Sequence, residues 1–587
     1  MGARLAASLV VVLAAVGLVA ADEYDPVRDP AVNPPSLSAA PPTDSVADTI
    51  AEDEWLVRHL RADPATLNPI LMSSGHELVV KEMLFDEPVV YGPNLEWSLN
   101  RAMVDGYSES DDHGTAELRL KPGLVWHDGA PLTARDVVFS WRTILDDQVP
   151  AVGARAGVEA IVDCSAADPL TVRYRFAQPL PTNKWSVKFP IIPRHVYEKG
   201  RATDPSLTQS AYHQQVNRHP VGNGPYRFLE WTPSNRIVLQ RWDEYPGPKP
   251  HFARMIFRIV ADNNAALLMF KRGELDEMSL IPKQFARQTQ DDRFAKVGVK
   301  GWAEQATVYC IGWNMDGSNP FFTDARVRRA MSHALNLPLI VEKVYDRLFT
   351  RCRGIFPPGS WVYNPDVALF QYDRKRAADL LDAAGWRIDT NDGWRYKTVR
   401  GADGQEVRAR FEFTLSFAQE SKTSPQVAAI LQEDLKRLGV DMKLQALEYT
   451  TLRGRVFTHE FQAVAWAWTA TPEPDDARYL FHSDARAEGR NFVSYSNPEV
   501  DALFEQARRS FDVDERRECY QRIARIVYED APYTFMINAP SLWAFHKRIR
   551  GVRFSPMGPS GFVPGVRDWW VPAGEAIRHG DGSTPSG

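Results

Sequence analysis

Strand and helix signals alternate along this chain from Trp55 to Phe545, and that alternation constrains the fold more than any other feature. It predicts the α/β class. The pattern is densest in Lys121–Trp141, KPGLVWHDGAPLTARDVVFSW. Just before it, Ala116, Leu118 and Leu120 alternate with charged residues, the period of a half-buried strand. Lys121-Pro122-Gly123 interrupts that strand, Leu124-Val125-Trp126 resumes it, and His127-Asp128-Gly129 turns the chain. Thr133 is placed to cap a helix and Asp136 to answer it from the first turn. Val138, Trp141 and Leu145 then share one helical face. Nothing in the stretch is a catalytic group.

The same reading places helices over 78–85, 263–273, 321–336, 374–385, 424–439, 497–510 and 514–530. Thr323 or Asp324 caps the third of these, and Gly385 and Gly439 stop the fourth and fifth. Strands are expected at 89–91, 170–176, 237–242, 255–260 and 442–446, with separate strands at 535–539 and 543–545. Residues 387–410 read as a surface hairpin.

The chain has 587 residues, too many for one core. Arg4 followed by the apolar run Leu5–Val19 and by Val19-Ala20-Ala21 reads as a secretory signal peptide over 1–21. The run is short for a membrane span, which needs about 20 apolar residues. Residues 22–52 are rich in Pro, Asp, Ala and Ser without period and are expected to be a disordered leader, as are 574–587 a disordered tail. No Cys stands near the cleavage point, so free residence in a periplasm is expected rather than a lipid tether. A formal charge of -6 and a pI near 6.2 argue against nucleic acid as a partner. The four cysteines, Cys164, Cys310, Cys352 and Cys519, make neither CxxC nor a zinc pattern. Cys310 and Cys352 are the best placed to pair, the alternative being two free buried thiols.

Several catalytic or cofactor readings fail on individual residues. His219–Trp231, HPVGNGPYRFLEW, is glycine-rich, but Arg227 stands where a dinucleotide loop needs its third Gly, and Pro225 lacks an N–H. His76-Glu77 begins an HExxH pattern that Val80 breaks. Asp389, Asn391 and Asp392 resemble part of a calcium loop, but its twelfth position is Arg400. Thirteen His are spread without a chelating cluster. No cofactor and no metal is expected, and the chain reads as no enzyme.

WHDGAPLTARDVVFSW resembles the signature of the family 5 extracellular solute-binding proteins, receptors of ABC importers for oligopeptides, dipeptides, nickel and some oligosaccharides. Further motifs follow in that family's order: RADPATLNPIL from Arg61, GNGPY from Gly222, GELDEM from Gly273 and DARVRRA from Asp324. The resemblance spans roughly Trp55 to Trp570. It implies a two-lobed type II periplasmic binding protein fold with an extra subdomain in the first lobe. Lobe 1 would comprise 53–92, 220–305 and 543–573, its extra domain 93–219, and lobe 2 306–542, with hinge crossings near 300–310 and 540–546. The implied function is capture of oligopeptides between closing lobes by a monomer and delivery to an ABC permease in the inner membrane. The same fold taking an oligosaccharide is the alternative, and a secreted hydrolase a weaker one.

In that family two stretches face the cleft, here Ser73–Val80 and Ala463–Asp476. They nominate Glu77, Leu78, Val79, Trp466, Trp468, Thr469, Glu473 and Asp475 as ligand-binding residues. Backbone groups flank an extended peptide in such receptors, and Trp466 and Trp468 alternate correctly with Ala465 and Ala467 to wall a side-chain pocket or to fill the core of lobe 2. One residue departs from the pattern. Peptide receptors of the family place an Asp four residues before the loop's Pro, and counting back from Pro474 gives Ala470. Glu473, Asp475 or Asp476 then takes over the peptide's ammonium, or the ligand has no free amino end there.

Overall fold

The computed structural model describes residues 32–577, apart from 35, 41–49, 73, 156, 401–404, 470, 472 and 489. The expected signal peptide and Ala470 therefore lie outside the described residues. A mixed sheet of eleven strands runs through the molecule. Its spatial order is Asp441–Leu447, Glu412–Ala418, Ala463–Thr469, Gly298–Trp313, Tyr533–His546, Glu277–Ser279, Trp55–Leu60, Arg254–Ile259, Arg236–Arg241 and Tyr226–Thr232, with Thr350–Arg351 set against Tyr533–His546. Sequence neighbours are thus scattered across the sheet, as expected of an α/β chain.

The molecule is two-lobed because apolar side chains gather on either side of one strand pair. Leu56, Leu60, Phe257 and Phe545 belong to the core of the first lobe, and Trp313, Met331, Phe413 and Ile537 to that of the second. The strands Gly298–Trp313 and Tyr533–His546 are the two elements that enter both. They pair antiparallel from Gly298↔His546 to Glu304↔Pro540, then resume at Val308↔Asn538. The irregularity falls where Pro540 has no N–H to give the ladder. Two separate strands were expected here; instead one strand of fourteen residues continues through Pro540. Its neighbours on both sides keep it extended while the ladder lapses for a few residues.

A second, four-stranded antiparallel sheet carries its own core. It consists of Val104–Glu109, Thr115–Leu120, Thr171–Phe176 and Ile161–Ala166, backed by the helix Ala134–Leu145. The capping expected at Thr133 is present: the Asp136 carboxylate accepts the Thr133 backbone N–H at 2.8 Å and the Arg194 N–H at 3.0 Å. Trp126 is fully buried. His127 accepts the Gly222 N–H at Nδ1 (3.1 Å) and donates from Nε2 to the Gly224 carbonyl (2.9 Å). Burial lowers the His127 pKa to about 4, so its neutral form makes these bonds. The two glycines are required by a close approach: a Cβ at Gly222 would stand 2.0 Å from the Leu84 carbonyl oxygen, and one at Gly224 2.7 Å from the Leu84 carbonyl carbon. The glycine-rich loop therefore packs against the end of the helix Gly75–Leu84, whose last carbonyl accepts the Asn223 and Gly224 N–H groups.

The first lobe is stitched from remote segments by buried charge. Arg548, 2% exposed, meets Glu54 at 2.9 Å and Asp276 at 2.9 Å, both fully buried, and donates to the Trp55 carbonyl. Asp276 also accepts the Val57 N–H at 2.8 Å. Arg58 pairs with Glu277 at 2.8 Å between the rings of Phe257 and Trp569.

Two expectations need correction. Part of the segment expected to be disordered is seated: Val32 and Leu37 are buried, and Asn33 exchanges two hydrogen bonds with the Trp302 backbone. These apolar side chains have surface to bury against, which composition alone did not register. Likewise Ala573–Glu575 forms a 3-10 turn and Ile577 donates to Glu54. All four cysteines are free and buried. Cys310 pairs with Phe535 on one side of the strand Tyr533–His546, and Cys352 donates to Met536 from its other side. Two strand spacings, roughly 10 Å, separate them, beyond the reach of a disulfide.

Removing Arg548 leaves two buried carboxylates without their cation. Arg548→Met is expected to lower unfolding free energy by about 3–5 kcal/mol, read by urea denaturation at neutral pH; a loss below about 1 kcal/mol would mean the three segments are held by packing alone.

Candidate functional site

The strand Ala463–Thr469 alternates small and large residues and lies next to the crossing pair. On one side it is fully laddered, from Thr307↔Thr469 to Trp313↔Ala463. On the other it meets Glu412–Ala418 only at Ala463 and Val464. Beyond Val464, no strand among the described residues pairs with that edge, and Ala467 and Thr469 are exposed. An extended backbone of another molecule has there a row of donors and acceptors to pair with.

Trp466 and Trp468 do not stand free in a pocket. Trp468 is 8% exposed, stacks on Phe492 with centroids 5.5 Å apart, and meets the edge of Tyr533 at 6.3 Å. Trp466 is half-buried against the same cluster, 6.1 Å from Trp468 and 6.3 Å from Phe492. Of the two readings left open, core packing describes Trp468. Thr469 is at the surface, its hydroxyl 3.0 Å from that of Thr307.

The loop after this strand is where the two lobes meet. Glu473 accepts from Arg516 Nη2 at 2.5 Å through Oε1, and from Trp185 Nε1 at 3.0 Å through Oε2. Trp185 sits on the short helix Asn183–Ser186 of the four-stranded unit, Arg516 on the helix Val513–Asp530 of lobe 2. From Trp185 the contacts continue into lobe 1. Its ring lies 5.4 Å from that of Tyr91, Lys188 Nζ stands 4.6 Å over Tyr91, and Lys188 pairs with Glu87 at 2.7 Å. Lys81, on the helix Gly75–Leu84, pairs with the other Glu87 oxygen.

Charge is unevenly balanced along this path. At Glu87, burial opposes ionisation but Lys188 and Lys81 outweigh it and bring its pKa to about 2. At the lobe 2 end Glu473, Asp475 and Asp476 share few cations, and burial raises the pKa of all three. Burial raises the Glu473 pKa against the pull of Arg516. Burial and the Glu473 charge raise Asp475 to about 7, with Arg516, at 3.7 Å, opposing. Asp475 Oδ2 is buried without a hydrogen bond.

The remaining nominees are placed elsewhere. Glu77, 2% exposed, accepts the Ser74 N–H at 2.8 Å and the Ala65 N–H at 3.1 Å. It caps its own helix rather than standing as a cleft carboxylate, a role that Ser74-x-x-Glu77 already spelled. Val79 packs on the lobe 1 core, and Leu78 is exposed. Glu473 and Asp475 are brought together with Arg516 and Trp185. The latter two had no signal in the sequence: Arg516 reads as an ordinary helix-surface residue, and Trp185 follows a proline-rich turn. Among the described residues no group of three or more His, Cys, Asp or Glu is arranged to hold a metal ion. No described helix is long and apolar enough to cross a membrane.

A profile of bacterial extracellular solute-binding proteins, family 5 Middle, matches residues 98–489. The chain is 26% identical over 514 residues to the oligopeptide-binding protein AppA of Bacillus subtilis (strain 168), covering 87% of this chain and 90% of that protein. It is 24% identical over 545 residues to the dipeptide-binding protein of Escherichia coli (strain K12), covering 88% and 96%. The solved structure of Bacillus subtilis AppA in complex with a nonapeptide superposes with a TM-score of 0.70 at 25% identity, covering 89% of this chain and 99% of that one.

Two measurements check the geometry. Trp468→Ala is expected to cost about 3–5 kcal/mol of stability, seen as an earlier urea midpoint, whereas a pocket wall would leave the midpoint in place. Asp475 takes up a proton in the folded protein at a higher pH than in the unfolded chain. Stability therefore falls as pH rises from about 4 through about 7, and the penalty is complete above that. Asp475→Asn is expected to melt higher than the parent at pH 8 and equally at pH 4; equal melting at both would contradict the burial of this charge.

Proposed function

Because the chain belongs to the family 5 bacterial extracellular solute-binding proteins, we propose that it captures oligopeptides between its two lobes and hands them to the permease of an ABC importer. The observation that carries this reading is the backbone edge of Ala465–Thr469, with which no strand among the described residues pairs. Pairing along a strand edge reads no side chain, so it suits peptides of varied sequence. The hinge is the lapse in pairing between Glu304/Pro540 and Val308/Asn538, on the two strands that enter both cores. Closure there brings the lobes onto the ligand, and a ligand that touches both favours the closed state. No bond is broken, and the protein is a receptor rather than an enzyme. It acts as a monomer in the periplasm, led there by residues 1–21.

Asp475 supports a more specific assignment. Glu473 has both oxygens engaged, whereas Asp475 Oδ2 has no hydrogen bond. Asp475 is the carboxylate that meets the ammonium of a peptide with a free amino end, in place of the Asp that Ala470 replaces. An oligosaccharide platform is less well supported, because Trp468 already has a ring face against Phe492.

Native mass spectrometry of protein taken from its own periplasm, with the ligand released by denaturation, tests this. A ladder of peptide masses with free N-termini is expected. A single sugar mass would overturn the peptide reading, and N-blocked peptides alone would overturn the role of Asp475.

A further inference from the structure

Among the described residues, a hydrogen bond and a ring stack join the four-stranded unit to lobe 2 through protein groups alone. In the first, Trp185 Nε1 donates to Glu473, whose other oxygen is fixed by Arg516, a side chain 6% exposed. In the second, the His113 ring lies flat on Phe511, centroids 3.9 Å apart and planes 18° apart. His113 sits at the turn between the strands Val104–Glu109 and Thr115–Leu120, with a φ of 53° and a hydrogen bond from Nδ1 to Glu109 at 2.8 Å. Phe511 lies in the connection that leads into the helix Val513–Asp530, the helix that carries Arg516. On the other side, Asn183, two residues from Trp185, reaches the His113 carbonyl at 3.5 Å and the Gln178 carbonyl at 2.8 Å. Both contacts therefore link the same two pieces of the molecule, one polar and one aromatic.

We propose that Trp185 and His113 form a latch that grips Glu473 and Phe511 and holds the two lobes together in the ligand-free protein. Each contact bridges segments that the hinge at Glu304 and Pro540 would carry apart. An aromatic N–H given to a carboxylate shielded from water is stronger than the same bond in solvent. The Glu473 carboxylate is held in position by Arg516, so little is lost in ordering it. Phe511 remains 42% exposed even when stacked, and opening exposes the ring further. The closed state is then favoured before a ligand arrives. A ligand need supply only the remaining bias, and once bound it leaves more slowly. Trp185 and His113 act as positioning residues: they touch the other lobe, and their effect on capture passes through the closure equilibrium.

This inference rests on the proposed opening and closing of the lobes, and its test separates the two. Ligand-stripped full-length protein carries spin labels at Arg119 and Lys375, exposed positions on the two sides. Electron–electron distance measurements then give the open and closed populations. The parent is expected to show a closed population without ligand. Trp185→Phe, which keeps a ring beside Tyr91 but loses the N–H, and Phe511→Ala, at a surface side chain, are each expected to lower the closed-to-open ratio about tenfold. Glu473→Gln combined with Trp185→Phe is expected to add little to Trp185→Phe alone. Unchanged melting curves for Trp185→Phe and Phe511→Ala show that the fold is intact. Identical distance distributions in parent and variants, or a parent that is wholly open, would overturn the latch. A mixture of tri- to pentapeptides added afterwards reads the function separately: if the variants shift the populations and the peptides never do, the latch stands and the peptide reading falls.

Discussion

Much of the first lobe depends on one buried cation. Arg548 is placed between Glu54 and Asp276, and these three residues come from the beginning, the middle and the end of the described chain. A charge so far from water is tolerated only when it is paired and hydrogen-bonded, and here the pairing is with carboxylates that themselves accept backbone N–H groups. The joint fixes the strand Trp55–Leu60 beside Glu277–Ser279 and sets where the strand Tyr533–His546 ends. The direction of that last strand in turn sets how the second lobe is presented, since it and Gly298–Trp313 enter both cores.

The cleft is therefore defined by a rigid joint on one side of a compliant one. At the joint, side chains are fully buried and one guanidinium serves two carboxylates that also accept backbone N–H groups. At the crossing, Pro540 withdraws a donor and the pairing lapses. Near the opposing lobe, Glu473 and Asp475 share Arg516. Both sites give one guanidinium to two carboxylates, but at Arg548 both lie within 2.9 Å, whereas at Arg516 Asp475 stands back at 3.7 Å.

How much of this was legible beforehand varies with the range of the interaction. Thr133 and Asp136 are three residues apart, and the cap they predict is present. Asn497-Pro498 likewise starts the helix expected of it, while the helix expected from Asp514 begins at Val513 on an Asp512 cap. The Ser74-x-x-Glu77 capping box went unread, because resemblance to a cleft stretch suggested a ligand role for Glu77; in the structure it is buried and caps its helix. Pro540 looked like a break because period and propensity are local, whereas the strand through it is kept straight by neighbours 186 or more residues away in sequence. The contact between Trp185 and Glu473 spans 288 residues, and no pattern at either end announces it. The cysteines fail for a related reason: their spacing is compatible with a bridge, and only the strand lying between them forbids it.

The scattering of lobe 1 across the chain also dictates an order of assembly. Lobe 2 draws on one continuous run of chain between the two crossing strands and has most of its sheet partners within reach as that run emerges. Lobe 1 lacks the cation between Glu54 and Asp276 until residue 548 has appeared, 493 positions after the strand that receives it. Until then Glu54 and Asp276 lack that guanidinium, and the early strands carry an open edge. A chain made from its N-terminus therefore keeps its first lobe unfinished longest, and the two-lobed fold is complete only once the strand Tyr533–His546 and Arg548 have arrived.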